Sequence, residues 1–579
     1  MQYGLWRAAA LLLVMLINPF EIVDRSEETS RRVWQTIYAE TYLQAARQPH
    51  DIRGEDPPGR RDIGIIMLED ADLDALGSDG GTDPFDVYDL IEQIRVAPMA
   101  GDTPGKPPRA IFVDLLLGSR APEGQDKNSL TRWTDEEKDQ CIRGRSANPA
   151  SPFRCMLFLV GQVTGFDRWG TDASCQASPL AKLACIRRVG GLPVIFADSR
   201  DVTQAGRKVG DAGFDALGHV AILAPTFYDD PGRYQMVDPP TEAERRNREF
   251  RLHPAAILYA IHCLAEGRAE AKCPLSPVVE PTIDPEAPAW ERQYWGWHPG
   301  FERPLEIIWG IGEESRFTRE RENLAQGTEA GQCEAAQGRV GQIKTFVTMA
   351  FSGFNIAKRD RCIYTRTLYY RQFGRASPEL LNLLIADKVV MIGLSSPSAY
   401  DSLETVPLGR VAGVYWHAMA LDNLIVEGAD YQKPAQKIFG MDITNYDVRN
   451  VFALVISLTL VGLGKKYLIS RNLDLEKSPK SQFLTMVERI LICLCLFCII
   501  FLTVFWFTSQ ISVIPNQYNY AALTIMLLFE IFFLVPLILQ PWQKTAQGWL
   551  KRLGLAMLGV EETKVSPRSA RKMGKGEGK

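Results

Sequence analysis

Short runs of consecutive apolar residues, each closed by acids or turn formers, punctuate the first three quarters of the chain. Ile63-Gly64-Ile65-Ile66-Met67-Leu68 reads as a buried strand ending in Glu69-Asp70-Ala71-Asp72. Residues 84–96 place Val87, Leu90, Ile91 and Ile94 at helical spacing. The run from Ala110 to Leu117 reads as a second strand, with Asp114 inside it. Strand, helix and strand in that order predict a βαβ unit and a parallel sheet. Further strands are expected at Cys155–Val163, Leu192–Asp198, Val220–Ala224, Leu305–Trp309 and Lys388–Gly393. Helices are expected over 24–48, with Val33, Ile37, Tyr38, Thr41 and Tyr42 on one face, and over 253–266, 378–386 and 413–428. A charged Pro/Gly linker covers 49–61. Polar insertions are expected near 118–152, 267–304 and 318–342, the second with seven prolines.

The last quarter has a different texture. Apolar segments run over 447–464, 490–508 and 520–539, and another opens the chain at 5–21. About 20 apolar residues cross a bilayer core of roughly 30 Å. The expectation is therefore one N-terminal transmembrane anchor and three C-terminal transmembrane helices. A cleaved signal peptide is the alternative at the N-terminus, but no small-x-small site follows the run. Glu530 lies inside the last segment. An acid there is costly unless paired or wetted, which makes it a candidate intramembrane functional residue.

Composition alone hides this division. The 579 residues are 46% hydrophobic and 23% charged, which excludes a mainly disordered or fibrous chain. A mean hydropathy of −0.10 averages two unlike parts. A net charge of −4 has the wrong sign for a general nucleic-acid binder. The basic residues are, however, concentrated: segment 465–489 holds six Lys/Arg against three acids, and tail 540–579 holds nine against three. Segment 509–519 is uncharged. Short basic flanks stay in the cytoplasm. Residues 24–445 are thus expected on the extracytoplasmic side, and the chain outside the two basic segments carries 50 basic against 63 acidic residues.

Three of the eleven cysteines, Cys493, Cys495 and Cys498, fall in an expected span, and are read as packing residues. The other eight all fall in the extracytoplasmic part: Cys141, Cys155, Cys175, Cys185, Cys263, Cys273, Cys333 and Cys362. An even number in an oxidising compartment suggests disulfides, with connectivity open. Sequential pairing is the simplest, because each bridge then closes a short loop. Buried free thiols are the alternative. With no CxxC pair and no His at ligand spacing from two Cys, no metal site is expected.

Asp70, Asp72, Asp114 and Asp401 follow strands, where parallel sheets place ligands. They are candidate ligand-binding acids for a cation or basic ligand; the alternative is that Asp favours turns and helix caps. Gly393-Leu394-Ser395-Ser396-Pro397 lacks the G-x-S-x-G elbow. His417 becomes a catalytic base only if the fold brings it to Ser395 or Ser396; otherwise it serves a buried hydrogen bond. The glycines at 77, 80 and 81 form no phosphate-binding fingerprint.

The closing part of the extracytoplasmic region resembles the CHASE2 family of bacterial extracytoplasmic sensory domains. The likeness is carried by Lys388-Val389-Val390-Met391-Ile392-Gly393, then Asp401, Thr405-Val406-Pro407-Leu408, Gly413-Val414, His417-Ala418 and Asp422-Asn423. Ile65–Leu68 with Asp70 and Asp72, and Ala110–Asp114, resemble the family's opening strands. The resemblance implies an α/β sensory domain in the bacterial inner membrane, with one helix before it and three after. It implies a sensor or receptor, not an enzyme, for an unknown extracytoplasmic ligand, with no cofactor and a homodimer as a reasonable state. The family usually relays to a cytoplasmic enzyme domain. The 40 residues after Leu539 hold no phosphate loop or catalytic motif. A separate cytoplasmic signalling protein is therefore the expected partner, besides the lipid bilayer, with no role for nucleic acid. A structural subunit of a membrane or envelope complex, and an extracytoplasmic hydrolase, are the alternatives.

Overall fold

The computed structural model describes residues 56–69, 83–99, 105–115, 130–144, 151–176, 179–198, 211–226, 232–236, 252–266, 304–312, 361–395, 402–405 and 407–428, with short pieces within 35–46, at 72, 335–337, 340–341, 431, 437–438 and 441–442. The chain divides into two units, Arg31–Ala435 and a second made of Met1–Ser30 with Gln436–Lys579. Of the second, the described part is a short antiparallel pair, Lys437–Ile438 with Met441–Asp442. Among the described residues no helix is long and apolar enough to cross a membrane. Segments 5–21, 447–464, 490–508 and 520–539, and Glu530 with them, lie outside the described residues.

In chain order the first unit runs α1 (Pro58–Asp62), β1 (Ile63–Glu69), α2 (Pro84–Val96), β2 (Ala110–Asp114), α3 (Asp135–Arg143), α4 (Pro152–Thr164), α5 (Phe166–Trp169), α6 (Pro179–Arg188), β3 (Val194–Asp198), α7 (Asp211–Val220), β4 (Ile222–Pro225), β5 (Arg233–Tyr234), α8 (Pro254–Glu266), β6 (Leu305–Glu306), β7 (Arg366–Tyr369), α9 (Tyr370–Phe373), α10 (Pro378–Ile385), β8 (Val389–Ser395), β9 (Ser402–Thr405), β10 (Gly409–Ala412) and α11 (Gly413–Glu427). Six strands form one sheet in the order β4-β3-β2-β8-β1-β7, every neighbouring pair parallel. The α/β fold with a largely parallel sheet follows from the strand runs, which are apolar on both faces because helices cover both.

Alternation along each strand sorts the two covers. Ile66, Leu68, Ile111, Val113, Val194, Phe196, Val390 and Ile392 share one core with Val87, Leu90 and Ile91 of α2, Met156 and Val160 of α4, Leu217 of α7 and Leu384 of α10. The opposite face, with Phe112 and Gly393, meets α11. α2, α4, α7 and α10 thus cover one face, whereas α11, with α8 packed against it, covers the other. β8 lies between β1 and β2, so a topological switch occurs there, and such a switch opens a crevice at the strands' C-terminal ends.

Several expectations change. Cys155–Val163 is not a strand but the body of α4. Ser151 caps it through Arg154 N, Pro152 occupies its first turn, and Gly165 ends it at φ 72°. It is buried on nearly every side, so its apolar run carries no visible helical period. Val220 and Ala221 close α7 and its turn, and β4 starts at Ile222. Only Leu305–Glu306 of the 305–309 run is strand. The polar stretch 118–152 contains α3, opened by a Thr134/Glu137 capping box. Linker 49–61 ends in α1, with Arg60 buried. In the N-terminal helix the described buried residues are Thr36, Ala39, Glu40, Tyr42, Leu43 and Ala46; of the expected stripe Tyr42 is among them, and Val33, Ile37, Tyr38 and Thr41 lie outside the described residues. The edge strand β7 and the β9–β10 hairpin were not anticipated.

Cys141 of α3 is bonded to Cys155 of α4, with Cα atoms 5.0 Å apart, and Cys175 to Cys185, at 5.8 Å. Cys263 and Cys362 are also disulfide-bonded. Cys273 and Cys333 lie outside the described residues.

Two outcomes follow from this packing. A Cβ on Gly393 would sit 2.4 Å from Val414 Cγ1, because α11 crosses β8 at that point. Gly393→Ala should destabilise the domain by about 1–3 kcal/mol, read as a lower melting temperature. Peptide mapping without reductant should recover Cys141–Cys155 and Cys175–Cys185, each closing a loop worth roughly 3 kcal/mol in the chain-entropy account; free thiols at those four positions would contradict the pairing.

Candidate functional site

α11 carries almost no solvent face: every residue from Gly413 to Ile425 is buried. Its polar side chains must therefore be satisfied by neighbouring elements. They meet those neighbours at two places.

The first lies at the C-terminal end of β2. Asp114 follows Phe112 on the α11 face and retains 8% of its surface. Its Oδ2 lies 3.8 Å from His417 Nε2, outside hydrogen-bond range, and accepts no hydrogen bond. Burial pushes the Asp114 carboxyl up to about 7. Burial, with the neighbouring His253 second, pushes His417 down to about 3, so the ring is neutral. His417 Nδ1 is 2.8 Å from the Tyr234 hydroxyl, and that hydroxyl accepts from Ala255 N at 2.9 Å. Ala255 lies in the first turn of α8, where backbone N–H groups lack helical partners. With one Tyr234 lone pair so used, the hydroxyl proton is best placed on His417 Nδ1. That assigns the ring proton to Nε2, facing Asp114. Tyr234 is held there by the two-residue pairing of β5 with β6.

The second lies five residues further along α11. The Tyr42 hydroxyl donates to Asp422 Oδ2 at 2.6 Å and accepts from Asn423 Nδ2 at 2.7 Å. Asn423 also brackets the backbone of Ile308, accepting from its N at 2.8 Å and donating to its O at 3.2 Å. Burial raises Asp422 to about 7, with the Tyr42 hydrogen bond acting the other way. Tyr42 and α11 are thereby joined through buried bonds across 380 residues of sequence.

The four candidate acids fare differently. Asp70 and Asp401 lie outside the described residues. Asp72 is buried and engaged: its Oδ2 accepts from Glu69 N at 2.8 Å and its Oδ1 from Arg371 Nε at 2.7 Å. Asp72 closes a turn and pairs with α9, whereas Asp114 faces His417, with β8 between their strands. The described contacts of His417 are with Tyr234, Asp114, Phe112 and Trp416, and none is with Ser395. Tyr234 was missed by sequence reasoning, since two strand residues in a polar stretch leave no periodic signal. No family model, curated protein or solved structure matches this chain.

The arrangement has a pH signature. An acid whose folded value lies above its ordinary 3.8 costs nothing below about pH 4, and its full penalty is present above about pH 7. At about 1.4 kcal/mol per unit, the Asp114 penalty is on the order of 4 kcal/mol. Asp114→Asn should raise the melting temperature at pH 8 and leave it nearly unchanged at pH 4. A lower melting temperature at both values would contradict the account.

Proposed function

We propose that this chain is a membrane-anchored extracytoplasmic sensor of the CHASE2 type, which passes its state through its C-terminal helices to a cytoplasmic signalling protein. The observation that carries the reading is the double engagement of α11. Near its start His417 faces Asp114, whose Oδ2 accepts no hydrogen bond, at the C-terminal end of β2, and near its end Asp422 and Asn423 grip Tyr42 of the N-terminal helix. Glu427 ends α11 only a few residues before the chain enters the C-terminal unit at Gln436. A change at the crevice that shifts α11 would therefore act on both routes toward the proposed spans, the chain before Tyr42 and the chain after Gly428.

The basic flanks at 465–489 and 540–579 support an inward orientation for both, and the two disulfides suit an oxidising compartment for Arg31–Ala435. A hydrolase reading gains nothing from His417, whose described partners are a tyrosine, a carboxyl and aromatic rings.

In intact spheroplasts a membrane-impermeant maleimide should label a cysteine introduced near Ala287 and spare one introduced near Ser470. The opposite pattern overturns the orientation, and with it the sensor reading.

A further inference from the structure

We propose that Asp114 is the recognition group for a small organic cation bearing N–H donors, an amine or a guanidine, bound at the C-terminal end of β2 beside β8. This rests on the sensor reading above and supplies its ligand class. The carboxyl is more than nine-tenths buried, and its Oδ2 receives no hydrogen bond. Native structures rarely leave a buried carboxylate oxygen without a donor, and such groups ask for an explanation. His417 Nε2, at 3.8 Å, is too far to donate and belongs to a neutral ring. No Lys or Arg pairs with it among the described residues.

The setting selects among cations. Phe112 and Trp416 each lie with ring centroids 5.1 Å from His417, and Tyr234 lies 4.3 Å from Trp416. A single buried carboxylate oxygen suits an N–H donor of an organic cation, which is less strongly hydrated than a hard metal ion. A hard divalent ion would require about six oxygen ligands. Among the described residues the one group with metal-ligand geometry is Asp172, Cys175 and Cys185, whose two sulfurs are bonded to each other. An anion is excluded by the carboxylate itself. The place is also where open parallel sheets bind ligands, at the strand ends beside a switch point.

The test uses the full-length protein in detergent. Methylammonium, putrescine and guanidinium chlorides are titrated by calorimetry and by melting temperature, with tetramethylammonium chloride at matched ionic strength as the cation without N–H. At least one N–H cation should bind and raise the melting temperature, and tetramethylammonium should not. Asp114→Asn should weaken that binding at least about tenfold, the loss of one charge-assisted hydrogen bond. If the Asn variant lacks a cooperative transition, Asp114→Glu replaces it and should change the order of preference among the three cations. Binding of none of them, equal response to tetramethylammonium, or unaltered binding in the variant overturns the ligand class. Those outcomes leave the maleimide result untouched, so ligand class and sensor reading fail separately.

Discussion

The structure depends on one constraint: a helix with no solvent face lies across a parallel sheet, and it carries polar side chains. α11 packs against β8 so closely that position 393 has room only for glycine. From Gly413 to Ile425 nothing on that helix can turn to water, so His417, Asp422 and Asn423 depend on the protein for partners. Tyr234, Tyr42 and the Ile308 backbone answer them. Each comes from a segment remote in sequence, and each is fixed to α11 by bonds made in a low-dielectric interior, where leaving a partner unmade is costly. The helix thus organises the short β5–β6 pairing, the N-terminal helix and the sheet around itself.

Asp114 Oδ2 is not answered in this way, and neither is the Oδ1 of Asp422. Asp72 shows what a settled acid in a similar position looks like, with a backbone N–H on one oxygen and Arg371 on the other. Asp114 has neither on Oδ2, and burial raises its carboxyl to about 7. The protein tolerates an energetic penalty at one strand end while meeting the same need a few ångströms away on His417 through Tyr234. Unsatisfied groups concentrate where a protein acts, and here the group sits at a strand end beside β8, after which the chain crosses to the other face of the sheet. Asp422 is buried too; Tyr42 donates to its Oδ2 and ties α11 to the N-terminal helix, while its Oδ1 accepts no hydrogen bond.

How far the chain could be read in advance varied with the local signal. Ile63–Leu68, Ala110–Asp114 and Lys388–Gly393 are apolar in unbroken blocks of strand length closed by acids or turns, and they became β1, β2 and β8. Residues 84–96 became α2 with the expected Val87, Leu90, Ile91 and Ile94 inward. α4 was misread for the opposite reason: the sheet beneath it and the helices beside it leave almost no polar stripe to reveal a period, and its short apolar run imitates a strand. The two described disulfides followed the sequential order because α3 and α4, and the turn before α6, bring near neighbours in sequence together.

Sequence by itself determined the class of the fold, its parallel sheet, the position of the C-terminal strand and helix, and the acids at strand ends, because these depend on hydrophobic pattern and turn chemistry within a few residues. It could not determine the strand order, with β8 inserted between β1 and β2, nor which acid would be satisfied. Those are decided by pairings across hundreds of residues, such as Asp114 with His417 and Tyr42 with Asp422. Burial and hydrogen bonding at such points are properties of the assembled neighbourhood. Two aspartates that look alike in the chain become a turn lock and an open carboxyl only when the helices close around them.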